Sequence, residues 1–554
     1  MSRLGLEGRR IGSAAAAGLV LAASLLGCGP SRGAASASAF PLTVRTSDGL
    51  VVGHVANGAR EFLGIPYAAP PVGALRWAPP RPPKPWTGTR RARAPGAACA
   101  QKGSPATGVL TTSTTENCLF LNVYTPRLPG QTRRALPVMV WIHGGGFTGG
   151  AGSLYDGARL ATRGDVIVVT INYRLAAFGF LALPSLGAGS GDFGLQDQQA
   201  ALRWVRQNAR AFGGDPGNVT IFGESAGGAS VCAQMASPGA SGLFQRAIAE
   251  SGCLFPAQSR QAAYRLGSAL AARLGCAGRA VGRPGAAAAC MRAKPTSAIL
   301  TAAAGLSSGP LSSFGPVAGT PTLPVQPIRA FQTGRFARVP FLDGTNRAEG
   351  RFFIALEYDA LGHPLTRPGY LALIRSSWGR NAGAVLAHYP VSRFGSPDLA
   401  DAAVFTDYAF SCPALYADSL AAGKPAARVY AYEFSDPNPP NDYGLKFTFP
   451  LGPAHSTELQ YVFGRIPVLD IAPAFTPAQA ALSDQFIGYW TRFAATGDPN
   501  GAGLPRWPRF VLGHLAGVPQ VQELVPASTA PEPVATFASA HQCSLWRSVL
   551  LPRG

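Results

Sequence analysis

The stretch Val219-Thr220-Ile221-Phe222-Gly223-Glu224-Ser225-Ala226-Gly227-Gly228-Ala229-Ser230 decides the fold of this 554-residue chain. A short β-prone apolar run leads into Gly-x-Ser-x-Gly, and small, helix-compatible residues follow as far as Ala236. A strand that turns directly into a helix around a serine is a nucleophile elbow, whose strained turn lifts the hydroxyl clear of the sheet. Glycines two residues before and after Ser225 suit this turn, because the two backbones approach too closely for a Cβ. In a chain with 67 glycines the pattern also arises by chance, so its surroundings must support it.

Apolar runs on both sides of this stretch predict further strands. They occupy residues 119–124, 138–142, 166–172, 246–250, 339–342 and 428–434. The run at 138–142 is uninterrupted, as expected for a strand covered on both faces. Helices are predicted at residues 195–212, at the Ala-rich residues 260–305 and at 482–495. This alternation predicts an α/β fold with a large, mostly parallel, doubly wound sheet and helices on both faces.

The chain ahead of these elements has two parts. Residues 40–55 have the pattern of β-strands, with a turn at Ser47-Asp48-Gly49. Residues 62–88 are rich in proline, which excludes a helix and predicts an extended segment on the surface. Because we find no repeat and no second linker, residues 40–554 are predicted to form a single domain.

The N-terminus carries the pattern of an export signal. Three arginines precede an apolar run of about 16 residues, 11–26, which is short for a membrane span and typical of a signal-peptide core. The run ends in Leu-Leu-Gly-Cys28, which resembles a bacterial lipobox. We expect a signal peptide at 1–27, lipid modification of Cys28, a flexible linker at 28–39, and export to the periplasm or the outer membrane. The alternative is an ordinary secretory signal cleaved within residues 31–39.

The amino-acid composition limits the classes of function that this chain can have. A hydrophobic content of 47% and a mean hydropathy of +0.12 provide for a large core, which argues against disorder. The net charge of +20 comes almost entirely from scattered arginines. No basic run is interleaved with aromatic residues, so we do not expect nucleic-acid binding. Attraction of this positive charge to an anionic membrane surface is an alternative that the composition allows.

A serine nucleophile needs hydrogen-bond donors for the oxyanion of its transition state. The glycine run that begins at His143 follows the predicted buried strand 138–142 and would expose backbone N–H groups. Loops of this HGGG type contribute the oxyanion hole in esterases and lipases, although a plain glycine-rich turn has the same sequence. We therefore assign the N–H groups of Gly145 and Gly146, together with that of Ala226, to an oxyanion hole.

The serine also needs a base, and the base needs an acid that orients it. Of the seven histidines, His455 lies on a Gly/Pro loop after the predicted strand 428–434. Glu349 and Asp343 compete for the role of the acid, and Asp343 comes too early, at the end of its strand. The order Ser225, Glu349, His455 is the order of nucleophile, acid and base in α/β-hydrolases.

Together these motifs resemble the type B carboxylesterases, which include the cholinesterases and bacterial para-nitrobenzyl esterases. The resemblance extends from about residue 40 to 552 and rests on residues 62–77, 116–123, 141–147, 223–228, 344–350, 455–464, 489–500 and 543–546. It implies an α/β-hydrolase with the triad Ser225, Glu349 and His455 that needs no metal or organic cofactor. It also implies supporting roles for Glu224 and Ser251, although a strand-end turn explains Ser251 equally well.

The loop between Cys99 and Cys118 narrows the expected substrates. It has 18 residues and no tryptophan, so it lacks the aromatic platform that holds a quaternary ammonium in cholinesterases. It is also too short for the amphipathic lid of an interfacial lipase. We expect a monomeric esterase that hydrolyses small-molecule esters of small to medium acyl or alcohol groups through an acyl-enzyme. The alternatives are a catalytically inactive adhesion module of the same fold, and a hydrolase of amides, carbamates or thioesters.

The cysteines fit an exported protein that forms disulfides. Eight remain besides Cys28. The resemblance implies three pairs: Cys99 with Cys118, Cys276 with Cys290, and Cys412 with Cys543. Cys232 lies in the apolar helix predicted after Ser225 and is expected to be a buried thiol, with a bridge to Cys253 as the alternative.

Overall fold

A central mixed sheet organises the chain in the computed structural model, which describes residues 42–104, 111–126, 134–277, 285–306, 314–425, 428–440, 447–464, 474–512 and 518–550. The predicted signal peptide, the linker and Cys28 lie outside these residues. The strands are β1 Thr43–Thr46, β2 Gly49–Val52, β3 His54–Ala56, β4 Ala59–Pro66, β5 Thr89–Arg91, β6 Phe120–Pro126, β7 Leu136–Ile142, β8 Ile167–Ile171, β9 Gly214–Glu224, β10 Arg246–Glu250, β11 Gln258–Ser259, β12 Val317–Ala318, β13 Phe341–Asn346, β14 Val429–Phe434, β15 Gln520–Leu524 and β16 Ala530–Pro533.

The helices lie mainly between these strands and after them. They are α1 Ala158–Gly164, α2 Ala176–Phe180, α3 Phe193–Asn208, α4 Ala226–Met235, α5 Arg260–Arg273, α6 Ala286–Arg292, α7 Thr296–Ala304, α8 Pro327–Thr333, α9 Gly350–Ile354, α10 Arg367–Trp378, α11 Ala382–His388, α12 Val391–Phe394, α13 Pro397–Thr406, α14 Cys412–Ala422, α15 Leu459–Phe463, α16 Pro477–Thr496, α17 Val534–Ala540 and α18 Cys543–Leu550. Within the described part of the chain, none of them combines the length and the hydropathy that a bilayer crossing requires.

Among the described residues the main sheet has eleven strands, in the order β16-β15-β14-β13-β10-β9-β7-β8-β6-β4-β3. All neighbours from β15 to β8 are parallel. The strands at both edges are antiparallel. The predicted mostly parallel, doubly wound sheet is therefore confirmed. The order reverses beside β7, and the carboxyl ends of β7 and β9 open into the crevice where such sheets bind ligands.

Alternation along β7 shows how the sheet is covered on both faces. Val138, Val140 and Ile142 belong to one hydrophobic core, and Met139 and Trp141 belong to the other. Helices α3 and α4 pack on the first face, and α1 and α16 pack on the second. Because successive side chains of a strand point to opposite faces, the uninterrupted apolar run at this strand serves both cores.

The segment predicted to lie on the surface is partly a core strand. Ala59–Pro66 forms β4, which pairs with β6, and the side chains of Phe62 and Ile65 are fully buried. The expectation was wrong here because the prolines begin only at Pro66, so the preceding residues keep the N–H groups that a strand needs. Beyond them, Trp77 is also buried, and its indole N–H donates to the carbonyl of Ala177 at 2.7 Å.

The long predicted helices have different bounds in the structure. The Ala-rich region 260–305 contains α5, α6 and α7 rather than one helix. Helix α16 contains the predicted residues 482–495 but begins earlier, at Pro477. Thr476 sets this start, because its side chain and that of Gln479 form a reciprocal capping box.

Four disulfides link the described residues. They include the three implied pairs, Cys99–Cys118, Cys276–Cys290 and Cys412–Cys543. The fourth joins Cys232 to Cys253, whose Cα atoms are 5.5 Å apart. The expectation that Cys232 is a free thiol was therefore wrong. Helix α4 packs on β10, and this contact brings Cys232 beside the loop that follows the strand.

Candidate active site

Ser225 lies in the turn between β9 and α4, at the carboxyl edge of the sheet. Its backbone has φ 58° and ψ −122°, a conformation that residues other than glycine rarely adopt. The Ser225 N–H donates to the carbonyl of Glu250 at 2.8 Å, which ties the turn to the neighbouring strand β10. The serine is therefore held in a strained turn by the surrounding sheet.

The glycines around Ser225 permit a very close approach of backbones. A Cβ on Gly223 would lie 2.7 Å from the carbonyl carbon of Gly227. A Cβ on Gly227 would lie 1.9 Å from the carbonyl oxygen of Ile142, at the end of β7. Strand and helix therefore leave no room for side chains at these two positions. This is why the motif requires glycine there, as expected from the sequence.

The glycine loop after β7 lies beside Ser225 and lines the same cavity. Gly145 and Gly146 have φ 99° and 60°, which favour glycine, and both line this cavity together with Ser225 and Ala226. Ala226 is the first residue of α4, so its N–H has no partner within the helix. The three N–H groups assigned to the oxyanion hole thus belong to residues that line one cavity.

His143, the first residue of this loop, packs against Tyr173 and is uncharged. Its ring stacks on Tyr173 with centroids 4.4 Å apart, and the Tyr173 hydroxyl donates to the His143 carbonyl at 2.9 Å. Burial lowers the pKa of His143 to about 4. The imidazole is therefore neutral at physiological pH, and its position suits a structural role.

His455 reaches the same cavity from the loop before α15. Its Nδ1 is 2.6 Å from Oε2 of Glu349, and the other oxygen of Glu349 accepts the N–H of Asn346 at 2.7 Å. Glu349 precedes α9 and is fully buried. Of the two acids that compete in the sequence, Glu349 is the one in contact with His455, whereas Asp343 is buried within β13.

A second carboxylate lies on the other side of the His455 ring. Nε2 of His455 is 3.1 Å from Oε1 of Glu224, the residue before Ser225. The Ser456 hydroxyl donates to the same oxygen at 2.6 Å. Burial alone would lower the pKa of His455, but the charges of Glu224 and Glu349 raise it above its ordinary value.

Three contacts of the site were not identified from the sequence. Ser456 lies in the His455 motif, but nothing in that motif indicates its bond to Glu224. The rings of Phe353 and Phe410 lie 4.8 and 4.9 Å from the His455 ring, measured between centroids. Their partner lies far away in the chain, so no local pattern reveals these contacts. Ser251, for which the sequence allows either a supporting role or a strand-end turn, directly follows β10 with φ 52° and a fully buried side chain.

The cavity in front of Ser225 has a volume of about 680 Å³. His455 and Glu224 contribute to its lining together with Ser225. Most of the remaining wall is apolar and comes from Phe147, Phe255, Leu300, Phe314, Phe352, Phe353 and Leu356. Lys102 and Glu357 contribute single charges to the lining. Among the described residues, no cluster of His, Cys, Asp and Glu side chains is arranged to hold a metal ion.

Comparison with known proteins agrees with this geometry. The model of the carboxylesterase family matches residues 41–546. Para-nitrobenzyl esterase of Bacillus subtilis (strain 168) is 38% identical over 84% of this chain and 92% of that protein. Fumonisin B1 esterase of Sphingopyxis macrogoltabida is 34% identical over 86% of this chain and 87% of that protein. A solved structure of a PNB esterase covers 92% of this chain and 99% of its own, with a TM-score of 0.76 and 34% identity.

The match covers the strands and loops that bring Ser225, Glu349 and His455 together. A match of this length, at this identity and with this fold, identifies the chain as a type B carboxylesterase similar to the para-nitrobenzyl esterases. The chain belongs to the carboxylesterase family and is a serine hydrolase of carboxylic esters with the α/β-hydrolase fold.

Proposed function

We propose that Ser225 is the nucleophile of this esterase, His455 its general base and Glu349 the acid that orients the base. His455 accepts the proton of the Ser225 hydroxyl as the oxygen attacks the ester carbonyl. Glu349 stabilises the imidazolium that forms, through the 2.6 Å contact with Nδ1. The alcohol then leaves with the proton from His455, and water repeats the sequence on the acyl-enzyme.

The N–H groups of Gly145, Gly146 and Ala226 are proposed to bind the oxyanion in both tetrahedral intermediates. Support comes from the left-handed backbone of the two glycines and from the position of Ala226 at the start of α4. Loss of one such donor typically costs on the order of 10²–10³ in rate. The glycine conformations are required here, because a loop of bulkier residues could not adopt the same turn.

The observation that carries this proposal is the position of His455. Its Nδ1 is fixed by Glu349, while its ring lines the same cavity as Ser225. Hydrogen bonding at Nδ1 selects the tautomer in which Nε2 can accept a proton, as a general base requires. The carboxylate of Glu224 beside Nε2 favours the protonated imidazole that forms during the reaction.

Replacement of the serine tests the assignment. Ser225→Ala should reduce the turnover of p-nitrophenyl acetate by on the order of 10⁶. It should also abolish labelling by a fluorophosphonate probe, which reacts with an activated serine. Ser241→Ala, at an exposed serine outside the cavity, is the matched control and should keep both properties. Normal activity in the Ser225 variant would refute the assignment, and an unlabelled wild-type protein would favour an inactive binding module.

The walls of the cavity support small to medium esters as substrates. A space of about 680 Å³ with mainly aromatic and aliphatic lining accommodates modest acyl and alcohol groups. We expect kcat/KM for p-nitrophenyl esters to peak at short or medium acyl chains and to fall for palmitate. Matched amide, carbamate and thioester substrates should be hydrolysed more slowly. Faster turnover of any of them would reassign the preferred bond.

Export as a lipoprotein is a separate proposal about the N-terminus. It is supported by the arginines, the apolar run and Cys28 of the sequence. Expression of the full chain in a bacterial host with labelled palmitate should yield a labelled, membrane-associated protein. Cys28→Ser should remove the label and release the protein from the membrane fraction. An unlabelled wild-type protein in the medium would instead indicate an ordinary secretory signal.

A further inference from the structure

A second cavity, of about 670 Å³, lies behind the loops that carry Glu349 and His455. It is bounded by α12, α13, residues 540–542 and the loops that follow β13 and β14. It shares no lining residue with the cavity in front of Ser225. Nothing in the ester hydrolysis described above requires this space.

The charged groups that line this second cavity are mainly positive. Three arginines line it: Arg347, Arg351 and Arg393. Burial lowers the pKa of His541, which also lines it, but the neighbouring Asp407 and Glu433 carboxylates raise the value to about 10, so its imidazole is charged at neutral pH. The acids in the lining, Asp407 and Glu523, are outnumbered.

Both of these acids are already engaged by protein groups. Asp407 lies 2.5 Å from Nδ1 of His541 and accepts the Tyr389 hydroxyl at 2.6 Å. Glu523 forms an ion pair with Arg347 at 2.8 Å. Glu433, which is not part of the lining, lies 2.5 Å from Nε2 of His541 and forms an ion pair with Arg347 at 3.2 Å. His541 and Arg347 are therefore matched by carboxylates, and the positive charge that the cavity offers comes from Arg351 and Arg393.

Arg351 and Arg393 are the groups that remain for a ligand. Within the described part of the chain, neither forms an ion pair with a carboxylate. Arg351 is partly buried and uses one N–H to donate to the Pro450 carbonyl at 3.1 Å. Arg393 lies over the ring of Phe394, 5.4 Å from its centroid. A guanidinium offers five N–H donors, so each keeps donors for an anion.

Most of the remaining lining is apolar, although the side chains of Tyr389, Thr406, Ser435 and Gln542 also contribute to it. Leu399, Ala402 and Ala403 of α13 contribute to it, together with Phe394 and Val525. Cationic and apolar walls together match an amphiphile with an anionic head and a short hydrocarbon chain. Guanidinium groups bind carboxylates through paired, charge-assisted hydrogen bonds.

We propose that this second cavity binds the carboxylate of a short- or medium-chain aliphatic acid. The choice of a carboxylate rests on the proposed function, because ester hydrolysis releases such an acid. The site lies against the catalytic loops, since Ala348 and Pro453 both line it and the Ala348 N–H donates to the Pro453 carbonyl at 2.9 Å. A bound acid therefore contacts the segments that position Glu349 and His455.

The proposal is tested by measuring octanoate binding to an enzyme whose catalytic cavity is blocked by a covalent label. The full chain is labelled at the active site with a bulky fluorophosphonate, and octanoate is then titrated by calorimetry. We expect one octanoate per chain, with acetate and octanol each binding at least tenfold more weakly. Failure to label would count against the role of Ser225 instead, and the titration would then be made on unlabelled protein.

Substitutions locate the site. Arg351→Gln and Arg393→Gln should each weaken octanoate binding about tenfold, since each removes a charge-assisted bond. Arg380→Gln, at an exposed arginine outside the cavity, is the matched control and should bind octanoate normally. Thermal unfolding shows whether each variant is folded. No binding to the labelled enzyme, unchanged binding in both cavity variants, or equal binding of octanol would overturn the proposal.

Discussion

His455 lies between two carboxylates, and this placement sets its protonation. Burial in the protein works against a charged imidazole, whereas Glu224 and Glu349 favour one, and the net effect raises the pKa of His455. A general base must be neutral before it accepts a proton, so activity should rise with pH as His455 loses its proton. The pH profile of this esterase should therefore report on both neighbouring acids.

Glu224→Gln should move the acid limb of the pH profile to lower pH. The substitution removes one of the two negative charges that raise the pKa of His455, so the base becomes neutral at lower pH. The measurement is kcat/KM for p-nitrophenyl acetate against pH. Glu357→Gln, at an exposed residue of the same cavity, is the matched control and should leave the limb in place. A shift to higher pH in the Glu224 variant would contradict the assignment.

Glu349→Gln should reduce kcat on the order of 10⁴-fold, as expected when the acid that holds a catalytic histidine loses its charge. The amide keeps the shape of the side chain but no longer stabilises the imidazolium. Asp343→Asn is the matched control, because Asp343 competes for this role in the sequence but is buried within β13. If the Asp343 variant lost activity and the Glu349 variant kept it, the acid would have to be reassigned.

Among the elements, the elbow formed by β9 and α4 depends on the close packing of β7. Gly227 is the second residue of α4, and its missing side chain lets the helix lie against the end of β7. The disulfide between Cys232 and Cys253 fastens the same helix to the segment after β10. The element that carries Ser225 is thus held on two sides.

Gly227→Ala should destabilise the protein by roughly 3 kcal/mol, the upper range for overpacking a core. The added Cβ would lie 1.9 Å from the Ile142 carbonyl oxygen, so the elbow must shift and hydrolysis should fall as well. Gly383→Ala is the matched control, because Gly383 is also the second residue of a helix, α11, and has open space around it. Urea unfolding and kcat/KM are measured for both, and equal stability of the two variants would refute the packing argument.

On the scale of the whole molecule, buried acids link stability to pH. Burial raises the pKa of Glu250 to about 8 and that of Asp192 to about 7. Both groups hold a proton in the folded state at pH values where the unfolded chain has released it. Their contribution to stability is complete below the ordinary carboxyl pKa and is lost as pH rises through the raised values.

Glu250→Gln should therefore flatten the decline of stability between about pH 5 and pH 8. The amide oxygen of glutamine can still accept the indole N–H of Trp490, which donates to Glu250 at 2.9 Å. The free energy of unfolding in urea is compared at several pH values for the wild type and the variant. Glu357→Gln, at an exposed acid, is the control and should leave the pH dependence unchanged. A wild type whose stability rises with pH relative to the Glu250 variant would contradict this account.

Several parts of the fold and the site were readable from local patterns. The elbow at 223–227 depends on a tight turn, and glycine spacing reports such turns directly. The strand at 246–250 has the predicted bounds in the structure. By contrast, β4 was missed because nearby prolines dominate the local pattern, although Phe62 and Ile65 are fully buried. Local composition indicates which secondary structures a segment can form, but it does not show which other elements pack on that segment.

The sequence by itself determined the α/β class, the nucleophile turn and the family, because these depend on short-range periodicity and on ordered motifs. Only the tertiary structure decided that His455 lies between Glu349 and Glu224, which are 106 and 231 residues away from it. It also decided the bond between Cys232 and Cys253, and the arginine-lined cavity behind the catalytic loops. These features arise where helices pack on the sheet and bring distant loops together. Hydrophobic periodicity along the chain does not indicate which loops will be in contact.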